Sequence, residues 1–138
     1  MRPLIRQSIN VPGLGHGTIP IPAASRVGDW IATGGVRGVN PATGEMPSSV
    51  AEQVERMFEN LRSILEAAGG SMDTLLKLTI YIKVAEARPA INPAWLKYFP
   101  DAARRPARHI IENDRLGGGM LVQCEALAVS VADIASAI

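Results

Sequence analysis

Apolar positions along the chain change their spacing several times, and each change marks an element. From residue 50, Val50, Val54, Met57, Phe58, Leu61, Ile64 and Leu65 recur three or four apart, which is the stripe of an amphipathic helix. Ser49 with Glu52 three residues on reads as a capping box at its start, and Gly69-Gly70 supplies residues that tolerate a left-handed end. Residues 76–84 then alternate Leu78, Ile80, Ile82 and Val84 with Lys77, Thr79, Tyr81 and Lys83, the period of a half-buried strand. Ahead of the helix, short apolar pieces at residues 4–11, 24–27 and 30–33 predict three strands. Gly28-Asp29 forms a tight turn between the second and third, and residues 40–44 (Asn-Pro-Ala-Thr-Gly) form a loop. A second helix is predicted over residues 89–99, with Asn92 as an alternative cap if Pro93 is the first helical residue; Pro100 ends it. Strands at 107–112 and 121–131 follow, linked through Gly117-Gly118-Gly119. The order of three strands, helix, strand, helix and two strands describes an α+β domain.

Composition narrows this without redirecting it. With 138 residues, 47% hydrophobic and 20% charged, the chain is sized and balanced for one globular domain over residues 1–138. Fourteen basic residues against thirteen acidic leave a net charge of +1, so no overall field draws it to nucleic acid or an anionic membrane. Aromatics make up only 4% and no basic stripe interleaves them, which speaks against a nucleic-acid stacking platform. One cysteine, no signal-peptide pattern and no apolar run of membrane-spanning length predict a cytoplasmic protein off the membrane. Two histidines, His16 and His109, with no cysteine pair give no zinc spacing, so neither a metal nor a cofactor is expected. Gly13-Leu-Gly15-His-Gly17 precedes a Thr-Ile-Pro segment rather than a helix and reads as loop.

The chemistry concentrates in the last two strands. Alternation puts Arg108, Ile110 and Glu112 on one face and Ala107, His109 and Ile111 on the other, so Arg108 and His109 point apart. Likewise Leu121, Gln123, Glu125 and Leu127 oppose Val122, Cys124, Ala126 and Ala128. Glu125 is a carboxylate in an apolar stretch, either held by hydrogen bonds at an edge or part of a site. Cys124, on the small-residue face, reads as a buried inert thiol.

At these residues the chain resembles a known family. Asn40-Pro41-Ala-Thr43-Gly44-Glu45, Gln53, Asn60, Glu66-Ala-Ala-Gly69-Gly70-Ser71-Met72-Asp73, Lys77-Leu-Thr79, Asn92, Arg105-Pro106-Ala107-Arg108 and Gln123-Cys-Glu125-Ala126-Leu-Ala128-Val129 together resemble the RidA family of reactive intermediate deaminases. That family is also labelled endoribonuclease L-PSP or translation initiation inhibitor. The resemblance implies a chorismate-mutase-like fold, about six strands backed by two helices, and a homotrimer whose sheets line a central barrel with clefts between neighbours. Gln53 and Asn60, polar residues beside an apolar stripe, fit such an association. The resemblance also implies that Arg108 binds the carboxylate of a 2-imino acid, with Asn92 retained beside it. A guanidinium fork suits that task, because it holds a planar carboxylate by two parallel hydrogen bonds.

The chain departs from the family at its water-handling position, which holds Gln123 in place of glutamate; a carboxamide orients water but accepts no proton. Ile21 stands in place of a tyrosine, Gly34, followed by Gly35, in place of a serine, and Ile110 in place of a cysteine. The expected pocket keeps its anion clamp and becomes more apolar, which favours a different or bulkier carboxylate. Glu125 and His16 are two further candidates for the cleft. The leading expectation is hydrolysis of a carboxylate-bearing enamine or imine to a 2-keto acid and ammonia. The alternative is a non-catalytic module that binds or senses a small carboxylate, and ribonuclease activity ranks last.

Overall fold

A computed structural model describes residues 4–131; residues 1–3 and 132–138 lie outside the described residues. In chain order the elements are β1 (Gln7–Ile9), β2 (Ala24–Val27), β3 (Trp30–Thr33), β4 (Val36–Arg37), α1 (Val50–Ala67), β5 (Leu75–Ile82), α2 (Ala87–Tyr98), β6 (Ala107–Glu112) and β7 (Val122–Val129). The sheet runs β1-β2-β3-β7-β5-β6, with β4 pairing further along β7. Among the described residues only β5 and β6 pair in parallel; the other pairs are antiparallel.

The helices cover one face. Leu78, Ile80 and Ile82 of β5 pair across to Ala126, Cys124 and Val122 of β7, and all six are buried with the α1 stripe of Val54, Met57, Phe58, Leu61, Ile64 and Leu65. Their alternates Thr79, Tyr81, Gln123, Glu125 and Leu127 look out from the opposite, open face, where Trp30 of β3 is 56% exposed. Ser49 caps α1 by accepting from the Glu52 N–H, one half of the expected box. At the other end, buried Arg26 of β2 donates to the Ala68 carbonyl at 2.8 Å, neutralising the last turn as a cation there should.

Five expectations change. β1 covers three residues instead of 4–11, because its partner β2 offers only four before turning at Gly28, which has φ +57°. β4 was not predicted, since two residues carry no period. The second helix starts at Ala87, so Asn92 is not its cap. Pro89 is the third helical residue, where a missing N–H costs nothing, and Pro93 removes only the donor to the exposed Pro89 turn. The glycine segment does not close a hairpin: β6 is an edge strand and β5 lies between it and β7.

The fifth change concerns Gln53 and Asn60, which serve this chain's own loops rather than a neighbour. Both are buried. Gln53 Nε2 donates to the Pro47 and Gly119 carbonyls at 2.7 and 2.9 Å, and its Oε1 accepts from the Leu121 N–H at 2.7 Å. Asn60 Nδ2 donates to the Arg37 and Val39 carbonyls at 2.9 and 2.8 Å.

Cys124 is fully buried, and burial first, then Glu125 next to it, pushes its thiol far above the ordinary value. The unfolded chain therefore ionises this thiol first, and stability is lost as pH climbs above the ordinary thiol range, at about 1.4 kcal/mol per pH unit. Urea midpoints at pH 7.5 and 10 should fall further for the native protein than for Cys124→Ala; equal losses would clear the thiol. Among the described residues no helix is long and apolar enough to cross a membrane.

Candidate functional site

Arg108 lies on edge strand β6, in register with buried Leu78, so its side chain leaves the sheet on the helix-covered side. There it meets α2. Its Nη1 donates to Asn92 Oδ1 at 3.0 Å, and its guanidinium carbon stands 4.7 Å from the centroid of the Trp95 ring. Asn92 and Trp95, three apart on a helix, share one face, so α2 presents an acceptor and a flat aromatic together. Partial burial first and Arg88 second lower the Arg108 pKa from its ordinary value, yet a guanidinium stays charged in any protein. Among the described residues no carboxylate pairs with it. The group is therefore a cation fixed by one hydrogen bond and a cation–π contact, with donors left over at the surface. Ile110, next on the same face, is half-buried beside it. Glu112, the third residue of that face, sits 3.9 Å from Arg88.

Gln123 lies elsewhere. It pairs with Tyr81 on one side and Arg37 on the other, and cross-strand partners share a face, so all three belong to the open side. Gly35 lies against the Gln123 carboxamide so closely that any Cβ there would overlap it. Gly34 is held by its N–H to the Ala23 carbonyl at 2.9 Å and by the Thr33 hydroxyl to its own carbonyl at 2.8 Å. Thr33 Oγ1 also accepts from the Ala126 N–H at 2.9 Å, which locks the β3–β4 kink onto β7. His16 is half-buried, with Nε2 3.9 Å from where a Gly34 Cβ would stand. Ile21, on the segment entering β2, is 50% exposed.

Glu125 is also on the open face, but it is occupied. Tyr81 donates its hydroxyl to Glu125 Oε1 at 2.7 Å, and that bond is the main reason the phenol pKa is raised. The carboxylate borders a hollow of ≈ 220 Å³ lined with Ala32, Thr33, Lys77 and Thr79.

The predicted residues thus fall into two groups on opposite faces of one sheet: Arg108, Asn92 and Ile110 on the helix side at the edge, and Gln123, Gly34, Gly35 and Glu125 around the open side. Sequence reading missed Trp95 and Tyr81, whose positions depend on which face of α2 meets β6 and which strand lies beside β7. The Asn92-to-Trp95 spacing was the one available signal for the first. Among the described residues no group of three or more His, Cys, Asp or Glu side chains could hold a metal.

Comparison with known proteins matches residues 21–130 to the family described as Endoribonuclease L-PSP. A 2-iminobutanoate/2-iminopropanoate deaminase of Escherichia coli is 35% identical over 104 residues, covering 75% of this chain and 81% of that protein. A RutC family protein of Pyrococcus abyssi is 34% identical over 110 residues, 79% of this chain and 85% of the relative. Among solved structures, Escherichia coli TdcF with bound serine superposes with a TM-score of 0.81 at 27% identity, covering 89% of this chain and 98% of that one.

Proposed function

Because the chain belongs to the endoribonuclease L-PSP family, the one its sequence resembles under the name RidA, we propose that it hydrolyses carboxylate-bearing imines or enamines to 2-keto acids and ammonia. The observation that carries this reading is the Arg108 guanidinium, oriented by Asn92 and Trp95 and matched to no acid of its own. A charged fork kept in one orientation, with no carboxylate partner among the described residues, suits an external carboxylate, and fixing that carboxylate fixes the adjacent imine carbon for attack by water.

The site is completed by a second copy of the chain. Arg108 and Gln123 leave opposite faces of the sheet, so the anion clamp of one copy meets the water-orienting carboxamide, Gly34, Gly35 and Ile21 of a neighbour. Exposed Trp30 and Leu127 on the open face support a homotrimer closed through that face. Ile21 and Ile110 give the cleft apolar walls, which favours side chains larger than methyl. The structural similarity to a relative solved with bound serine supports small-molecule binding.

The test supplies imines from several amino acids through an amino-acid oxidase and measures ammonia and keto-acid release above the uncatalysed rate. Acceleration is the expected result; its absence across small, branched and aromatic side chains rejects the reading. Gln123 favours the second reading, carboxylate binding without turnover, which the same panel identifies if keto acids bind while no imine reacts.

A further inference from the structure

Hydrolysis of an imine needs a group that takes a proton from the attacking water, and Gln123 cannot be that group. The Gln123 carboxamide has no basic atom, and Glu125 is engaged by the Tyr81 hydroxyl. The geometry points to His16 as the general base, an inference that rests on the reading above.

Three features hold His16 in place. Leu14 is buried in the core, and its N–H donates to the Val11 carbonyl at 3.0 Å. Gly13, at φ +79°, sits so tightly on Pro41 that a Cβ would overlap its carbonyl, which pins the loop to the one before α1. Arg37 Nη2 donates to the Gly15 carbonyl at 3.0 Å. That arginine is the charged group that β4 turns toward the loop, and it pairs in register with Gln123. The loop is therefore tied down just ahead of His16, and the Ile19 N–H closes a turn back onto the His16 carbonyl at 3.2 Å. Its imidazole lies against Gly34, while the next residue, Gly35, lies against Gln123. One glycine step separates the two side chains' supports. This loop precedes the family-matched residues, which begin at 21.

The step is simple to balance. Gln123 orients a water, its oxygen bonds to the imine carbon, the C=N electron pair moves to nitrogen, and the released proton goes to His16 Nε2. The imidazolium then returns that proton to the amine nitrogen. The C–N bond breaks as the C=O forms, and the hydroxyl proton completes ammonia. Imidazole suits both transfers because one ring nitrogen accepts a proton while the other carries one.

The experiment measures kcat/KM against pH for imine hydrolysis by the native protein, His16→Gln, Gln123→Glu and the double variant. His16→Gln should lose about a hundred-fold and lose the fall on the acid side. Adding Gln123→Glu to it should restore turnover, with that fall moved to the carboxylate range. A native enzyme whose activity and profile are unchanged in His16→Gln overturns the inference alone. So does a loss in His16→Gln that keeps the native profile and is not restored in the double variant. A native protein with no imine hydrolysis overturns this inference together with the proposed function.

Discussion

Replacing Arg108 by Ala will lower kcat/KM for imine hydrolysis roughly 1,000-fold while leaving the protein folded. Two charge-assisted hydrogen bonds to a carboxylate are worth about 4 kcal/mol together, and each 1.4 kcal/mol is about a factor of ten. Arg108→Lys should recover little, because an ammonium keeps the charge but neither the fork nor the flat contact with Trp95. Arg108 is exposed on an edge strand, so thermal melting should barely move. Steady-state kinetics on the substrate of highest turnover, with melting of the same preparations, checks this; a ten-fold effect or less would remove the clamp from the mechanism.

The largest effect on stability belongs to Gln53→Leu. Leucine nearly matches the volume but strands the Pro47 and Gly119 carbonyls and the Leu121 N–H, three groups served by one buried carboxamide. At about 1–3 kcal/mol for each unsatisfied buried group, the expected loss is about 3 kcal/mol or more, a large share of a typical domain's stability. Urea denaturation reads it directly, and a loss below about 1 kcal/mol would mean that water takes over those groups.

Much of this fold could be read from spacing alone, because α1, β5 and β7 each bury one regular stripe of side chains. Val54 to Leu65 and Val122 to Ala128 behave as their periods require. β4 escaped because two residues have no period, and α2 was begun late because prolines in a first turn resemble a boundary. The two buried amides were misassigned for a different reason: a polar residue beside an apolar stripe signals a partner without saying where it is. Arg108 and Asn92 were legible as a motif, and strand alternation assigned Arg108 its face relative to Ile110. That β7 lies between β3 and β5, setting Gln123 on the reverse of the sheet from Arg108, depends on strand order, which no local pattern encodes.

That back-to-back arrangement has a genetic corollary under the proposed function. Each chain lends its cation to one active centre and its carboxamide to another, so two inactive versions, one damaged at Arg108 and one at Gln123, can complement each other when co-assembled. A sound centre forms wherever the undamaged side of one meets the undamaged side of the other.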